Sequence, residues 1–250
     1  VITCSEPMRE EVTRLFALPD DQVRVVPNGV DAPRWTPTAR AVAAARAELG
    51  EVNAARELGL AACRRAIRAA GSTIRAAHQG RTADVVGLLG ECEAAVREAQ
   101  AALAPHPALA GAGFLHDAEK ELAEAVLTAA VLAGDPLPGP AAVGVGVPAW
   151  LNGLAEAASE LRRAILDRLR RGDAPAAERL FVAMEDAHEL LAGVDLPDAV
   201  TGGLRRTNDA LRAVLERTRS DLTTTTLQRR LQAALEAAAA RTAEGGPPLR

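Results

Sequence analysis

Two short acidic stretches hold the residues of this sequence best suited to chemistry. HDAEKELAEA, from His116 to Ala125, places Glu121 and Glu124 three residues apart, with Asp117 four residues before Glu121. On a helix that spacing brings all three to roughly one face. GLAEAASELRR, from Gly153 to Arg163, supplies a second pair, Glu156 and Glu160, four apart among Leu154, Ala157, Ala158 and Leu161. Carboxylates gathered from two helices repel one another unless a cation sits among them, and Mg2+ or Mn2+ accepts such an oxygen-rich shell. An ion held by Glu121, Glu124, Glu156 and Glu160 would polarise a phosphate and acidify a bound water, with a carboxylate free of metal taking the proton. That chemistry suits phosphoryl-ester hydrolysis. The same glutamates also read as solvated surface acids paired with Lys120, Arg162 and Arg163.

A basic stripe accompanies the acids. Arg64, Arg65, Arg68 and Arg75 recur at helical spacings, with His78 ending the run. Such a stripe suits phosphate contacts, which position a nucleic acid without reading its sequence, and reads equally as a solvated face pairing with Glu57 and other acids. Arg205, Arg206 and Arg212 form a second patch beside Asp209. Trp150, Phe114 and Phe181 lie at helix starts or on apolar stripes and are expected in the core. The histidines lack Cys/His partners at zinc spacing, and GVGVP, from Gly144 to Pro148, lacks the Lys-Ser/Thr and the β-α-β setting of a phosphate loop.

These residues must be positioned by helices. The 250 residues include 56 alanines, three Phe, two Trp and no Tyr, a composition that favours long helices over a β-sandwich or barrel. Cys4, Cys63 and Cys92 are too few and too widely spaced for a disulfide scaffold, so a reducing, cytoplasmic setting is expected. Neither a transmembrane segment nor a signal peptide is expected, and hence no membrane partner. The net charge of -4 argues against a duplex-DNA binder that relies on a strongly basic surface, but leaves room for a metal-assisted nucleic-acid site.

Along the chain, the spacing predicts helices over 39–78, from about 82 to 103, over 114–133, from Trp150 to Arg171, and from the turn RGDAP to about Ala192. The segment DPLPGPAAVGVGVP, Asp135 to Pro148, reads as a loop of about fourteen residues. A last helical stretch begins at Leu204, with a fray or bend expected at Thr223 to Thr226 and resumption over 227–242. The expected fold is all-α: a bundle of six or seven helices preceded by a short, non-core α/β-like segment.

That amino-terminal segment, residues 1–38, alternates strand, helix and strand. It resembles the junction between the two domains of a retaining GT-B glycosyltransferase, through Thr3, Cys4 and Ser5, MREEV, Leu18-Pro19, VPNGVD from Val26 to Asp31, and Trp35, Thr36 and Pro37. It is expected to be a fragment without a core of its own, which makes a glycosyltransferase fragment the weakest functional alternative. Residues 39–52 read as a linker or helix extension, 53–242 as the helical domain and 243–250 as a flexible tail.

From about residue 53 to 232 the chain resembles the translin superfamily, and within it the catalytic branch typified by translin-associated factor X. The matching blocks are Ala66, Ile67 and Arg68 with Ile74, Arg75 and His78; ELAEA; WLNGLAEAASELRR; Gly172-Asp173; LRRTND; and LERTRSDL. The resemblance implies a translin-like bundle, a Mg2+-dependent endoribonuclease acting on single-stranded RNA, and a closed homo-oligomer, octameric as in the family, with its acidic sites facing inward. Glu121 and Glu124 match the family's first acidic pair and Glu160 its last glutamate. Glu156 stands where the family carries aspartate and Ser159 where it carries glycine, which shifts one carboxylate by about 1.5 Å of reach. The alternative from the same family is a non-catalytic oligomer, like translin itself, that binds single-stranded RNA or DNA.

Overall fold

The computed structural model describes residues 1–3, 5–26 and 38–243, and the chain divides into two units, Val1–Val52 and Asn53–Arg250. Cys4, most of VPNGVD, Trp35 to Pro37 and the tail from 244 onward lie outside the described residues.

In the first unit, β1 (Ile2–Thr3) pairs in parallel with β2 (Arg24–Val25), Ile2 opposite Arg24 and Thr3 opposite Val25. Helix α1 (Glu6–Phe16) connects them. It starts where Ser5 Oγ accepts from the Met8 amide and ends where Ala17 turns left-handed at φ 48°. No residue of α1 is buried, so the expected α/β-like segment is present and contributes little core.

Helix α2 (Ala39–His78) begins in the first unit, and its buried residues start only at Gly59. From there Ala62, Cys63, Ala66, Ala70, Thr73 and Ile74 follow the helical period. The second unit continues with α3 (Thr82–Leu103), the single turn α4 (Pro107–Ala110), α5 (Phe114–Ala133), the single turn α6 (Pro140–Val143), α7 (Val147–Arg171), α8 (Ala174–Ala192), the single turn α9 (Asp198–Thr201) and α10 (Leu204–Ala243). The six long helices make the all-α bundle that the composition and periodicity predicted.

Punctuation follows local chemistry. Gly134 at φ 82° and Gly172 at φ 92° take the left-handed position that ends α5 and α7. Asp173 caps α8 by accepting from the Ala176 amide at 3.0 Å, with Pro175 in the first turn. Two boundaries differ from the sequence expectation. The segment after Gly134 holds the turn α6, and α7 begins at Val147 rather than Trp150, because Pro148 sits in a first turn whose amides need no partner. Thr223 to Thr226 neither fray nor bend the chain into a separate helix. α10 runs through them, since four β-branched residues cost only about 0.7 kcal/mol each relative to alanine, less than restarting a helix. Among the described residues no helix is long and apolar enough to cross a membrane.

Two apolar clusters meet at α5. Ala118, Leu122 and Ala125 pack with α2 and α3, while Ala123 and Leu127 pack with α7, α8 and α10. Phe181 is buried as expected, and Trp150 packs at the core edge with its Nε1 donating to the Pro138 carbonyl at 2.9 Å. The buried thiols of Cys63 and Cys92 serve as small apolar groups, burial pushing Cys92 up to about 12.

The start of α7 is pinned by Asn152, 2% exposed, whose Nδ2 donates to the carbonyls of Pro148 and Thr201 at 2.8 Å each. Its Oδ1 accepts from Thr207 Oγ1 at 2.7 Å. Asn152→Leu strands these buried partners and is expected to destabilise the protein by about 2–3 kcal/mol, read as a lower urea midpoint at unchanged m-value.

Candidate carboxylate centre

Helices α5 and α7 cross where Gly153 faces Ala123. An added Cβ at Gly153 would lie 2.6 Å from Ala123 Cβ, 2.8 Å from the Lys120 carbonyl oxygen and 3.0 Å from the Glu124 amide nitrogen. The absent side chain allows a close approach, and the carboxylates stand beside it, three residues along at Glu156 on one helix and at Glu121 and Glu124 on the other.

Glu121, Glu124 and Glu156 each direct a carboxylate oxygen into one cluster whose ligand atoms all lie within 4.8 Å of one another. Glu124 is the most enclosed, at 9% exposure. Burial, then the negative charges of Glu156, Glu121 and Glu160, push its carboxyl up to about 8. Burial also raises Glu121, against the opposing pull of Lys120. Asp117, although on the same helix, stays exposed and outside the cluster.

Glu160 stands apart from that trio. Its Oε2 lies 3.1 Å from Nε2 of His78, the last residue of α2, whose side chain is only 2% exposed. A carboxylate only accepts, so the imidazole Nε2 carries the proton and donates. This hydrogen bond, with the charges of His78 and Arg163, outweighs desolvation and holds Glu160 below the ordinary carboxylate range.

Lys120 brings the cation. Its Nζ sits 2.7 Å from Glu156 Oε1 and 3.7 Å from Glu121 Oε1. Burial disfavours the ammonium, but the hydrogen bond to Glu156 and the charges of Glu156, Glu121 and Glu124 prevail, and its pKa is raised. Lys120 is the only lysine among 29 Lys and Arg residues. A chain that uses arginine everywhere else thus places its one compact, strongly hydrated ammonium among the carboxylates.

The predicted arginine stripe lies on the exposed side of α2. Arg65 pairs with Glu98 at 2.5 Å, and Arg75 donates to Ser72 Oγ at 2.9 Å. Arg65 and Arg68 line a recess of about 490 Å³ together with Glu91 and Glu98. Arg64 is exposed, and among the described residues neither it nor Arg68 forms an ion pair. In the other patch, Arg205 lies 3.6 Å from Asp195 and Arg212 lies 3.5 Å from Asp209. Of the alternative pairings for the acids, Lys120 with Glu156 is realised, whereas Arg162 turns away to Asp221 at 2.7 Å.

Three features escape a reading of spacing. The His78 contact joins residues 82 apart in sequence, and the room at Gly153 exists only once α5 packs there. The isolation of Lys120 was visible in the sequence, but its partner on α7 was not.

An all-α bundle with acidic residues converging from two crossing helices defines the class. No family model matches the chain. Over 75 residues it is 37% identical to an uncharacterised protein of Methanocaldococcus jannaschii, a match spanning 30% of this chain and only 33% of that relative. Among solved structures, it is similar to AfC3PO in a complex with duplex RNA, at TM-score 0.68 and 30% identity over 75% of this chain and 97% of that one. A second AfC3PO structure gives 0.65 and 30% over 75% and 98%. Apo-NeC3PO, at TM-score 0.67 but 15% identity over 74% and 96%, shows the shared fold. The chain belongs to the translin superfamily, the family of the C3PO proteins.

Proposed function

We propose that this protein is a metal-dependent endoribonuclease that hydrolyses phosphodiester bonds of single-stranded RNA, in the manner of the family's translin-associated factor X branch. The convergence of Glu121, Glu124 and Glu156 carries the reading, supported by similarity to a protein seen in complex with duplex RNA. The donor set fits Mg2+ or Mn2+. It offers carboxylate oxygens from three side chains without nitrogen or sulfur, and its charge already draws an ammonium into contact. Glu121, Glu124 and Glu156 would hold the ion, with Glu160 alongside. When bound, it supplies polarisation of a phosphate oxygen and acidification of water.

The protein's own groups do the rest. His78 keeps Glu160 ionised and engages only Oε2, which leaves Oε1 to accept a proton from water. Glu156, one methylene longer than the family's aspartate, is held in place by Lys120. Assembly into a homo-oligomer, octameric as the family resemblance implies, belongs to this proposal, as does selection of flexible strands by access rather than by base contacts.

The test is cleavage of labelled single-stranded RNA in Mg2+ or Mn2+. Cutting is expected with the ion and none in EDTA, and Glu160→Ala is expected to lower the rate by at least about 100-fold at unchanged circular dichroism. Equal cutting by wild type and variant sinks the assignment. One observation favours a second reading: Lys120 already neutralises part of the cluster without a metal, as suits a silent oligomer that binds single-stranded RNA or DNA. Tight binding with no cleavage in either metal establishes that reading instead.

A further inference from the structure

A recess of about 730 Å³ opens beside the carboxylate centre, between the end of α2 and the carboxyl-terminal half of α7. His78, Arg163, Arg168 and Arg171 line it, along with Asp167 and Asp173. Both acids are engaged elsewhere. Asp167 Oδ1 receives Arg170 at 3.3 Å, and Asp173 Oδ1 is occupied by the α8 amide at Ala176. Of the arginines, Arg163 acts through its charge on Glu160, which it helps to keep ionised. Among the described residues Arg163, Arg168 and Arg171 form no ion pair, while their neighbours on α7, Arg162 and Arg170, pair with Asp221 and Asp167. With three guanidinium groups against two carboxylates, the recess is a concave surface of net positive charge. The α2 recess is different, because there two glutamates, Glu91 and Glu98, balance Arg65 and Arg68, and the Arg65 charge is spent on Glu98.

We propose that this recess is a phosphate-binding track, which seats the polynucleotide backbone next to the phosphate held at the carboxylates. The proposal rests on the ribonuclease reading above and locates the strand on α7, not on the α2 stripe. Arg163 lies one helical turn beyond Glu160, and both also line the neighbouring groove. At about 1.5 Å rise per residue, Arg163 and Arg171 are about 12 Å apart along the helix axis, a span of roughly two backbone phosphates. Guanidinium groups suit this role because their planar donors match phosphate oxygens. A concave positive surface also concentrates an anionic strand, which a protein of net charge -4 otherwise repels. Contacts of this kind to phosphate oxygens position a strand without reading its sequence.

Arginines in the last turn of a helix also complement its dipole, a stabilising effect of about 0.3–1 kcal/mol each. That role would show in the melting temperature and not in RNA affinity, which makes the two separable. The experiment is fluorescence anisotropy of a labelled single-stranded RNA of twelve nucleotides with the full chain in EDTA, where no cleavage occurs, at several salt concentrations. Replacing Arg163, Arg168 and Arg171 together by alanine is expected to weaken binding at least about 30-fold and to reduce the slope of log K against log salt by about 2. The triple lysine variant is expected to keep most of the slope, and the pair Arg65→Ala and Arg68→Ala to leave it unchanged. A wild-type slope in a folded triple alanine variant, or loss of slope from the α2 pair, overturns the track while cleavage by wild type leaves the ribonuclease reading standing. If wild type neither binds nor cuts RNA, both fall together.

Discussion

Glu124→Gln is expected to reduce RNA cleavage by at least about 100-fold while leaving the metal-free fold as stable as, or more stable than, wild type at neutral pH. The two effects have one cause. Glu124 is the most enclosed of the three clustered carboxyls, and its neighbours Glu156, Glu121 and Glu160 add like charge to the cost of burial, so its carboxyl is pushed from 4.5 up to about 8. The folded state thus holds the Glu124 proton more tightly than the unfolded chain does. The stabilisation is complete below about 4.5 and disappears as pH rises through about 8. At roughly 1.4 kcal/mol per unit of pKa difference, this is a large fraction of a domain's stability.

Thermal melts of the metal-free protein between pH 5 and 8 are expected to fall with rising pH, and Glu124→Gln to flatten that slope, because a neutral amide has nothing to ionise. Glu160 works in the opposite sense. Its carboxyl is held down by His78, so its stabilisation is present above the ordinary carboxylate range and is lost on acidification through the depressed value. Both proteins should therefore lose stability only below about pH 4.5, outside that range. Mn2+ is expected to raise the wild-type melting temperature at pH 8 and to move the glutamine variant far less. A steeper pH slope in the variant, or equal stabilisation by Mn2+, contradicts the account.

Gly153→Ala carries the second large effect, on stability and site together. In an exposed helix the change gains up to about 1 kcal/mol, since glycine is a poor helix former. Here the new Cβ meets Ala123 Cβ at 2.6 Å and, more seriously, the Lys120 oxygen at 2.8 Å and the Glu124 nitrogen at 3.0 Å. The last two are backbone atoms, which no rotamer can move aside, so α5 and α7 must separate. Overpacking of this kind costs typically about 1–3 kcal/mol and occasionally more. The net expectation is a loss of about 2 kcal/mol, roughly 4–8 °C in melting temperature for a chain of this size. Because the clash falls on Lys120 and Glu124, metal affinity should fall with it, measurable by calorimetry with Mn2+. Adding Ala123→Gly removes only the nearest contact and should recover part of the stability. A variant that melts at or above wild type rules out the tight crossing.

Much of the helical architecture was legible along the chain, because helix content is a local property. Alanine-rich runs, apolar residues at the helical period and the left-handed glycines at 134 and 172 act within a few residues of themselves, and the predicted helices over 39–78 and 114–133 coincide with α2 and α5. Misplaced boundaries fell where weak local signals competed. Thr223 to Thr226 lowered helix propensity without enough force to stop α10, and Pro148 marked the first turn of a helix already begun.

The acidic pairs, too, were recognisable, since three- and four-residue spacing on a helix fixes which side chains share a face. By itself the sequence determined the all-α class, the helices that carry the acids and the residue types available to them. Tertiary structure decided which acids meet: Glu121, Glu124 and Glu156 in one cluster, Glu160 drawn to His78, Lys120 turned to Glu156, and Asp117 left outside. It also decided that Arg65 pairs with Glu98 while Arg163, Arg168 and Arg171 share one recess, because a charge acts through its neighbours in space, and whether an acid already occupies it is settled only when the helices pack.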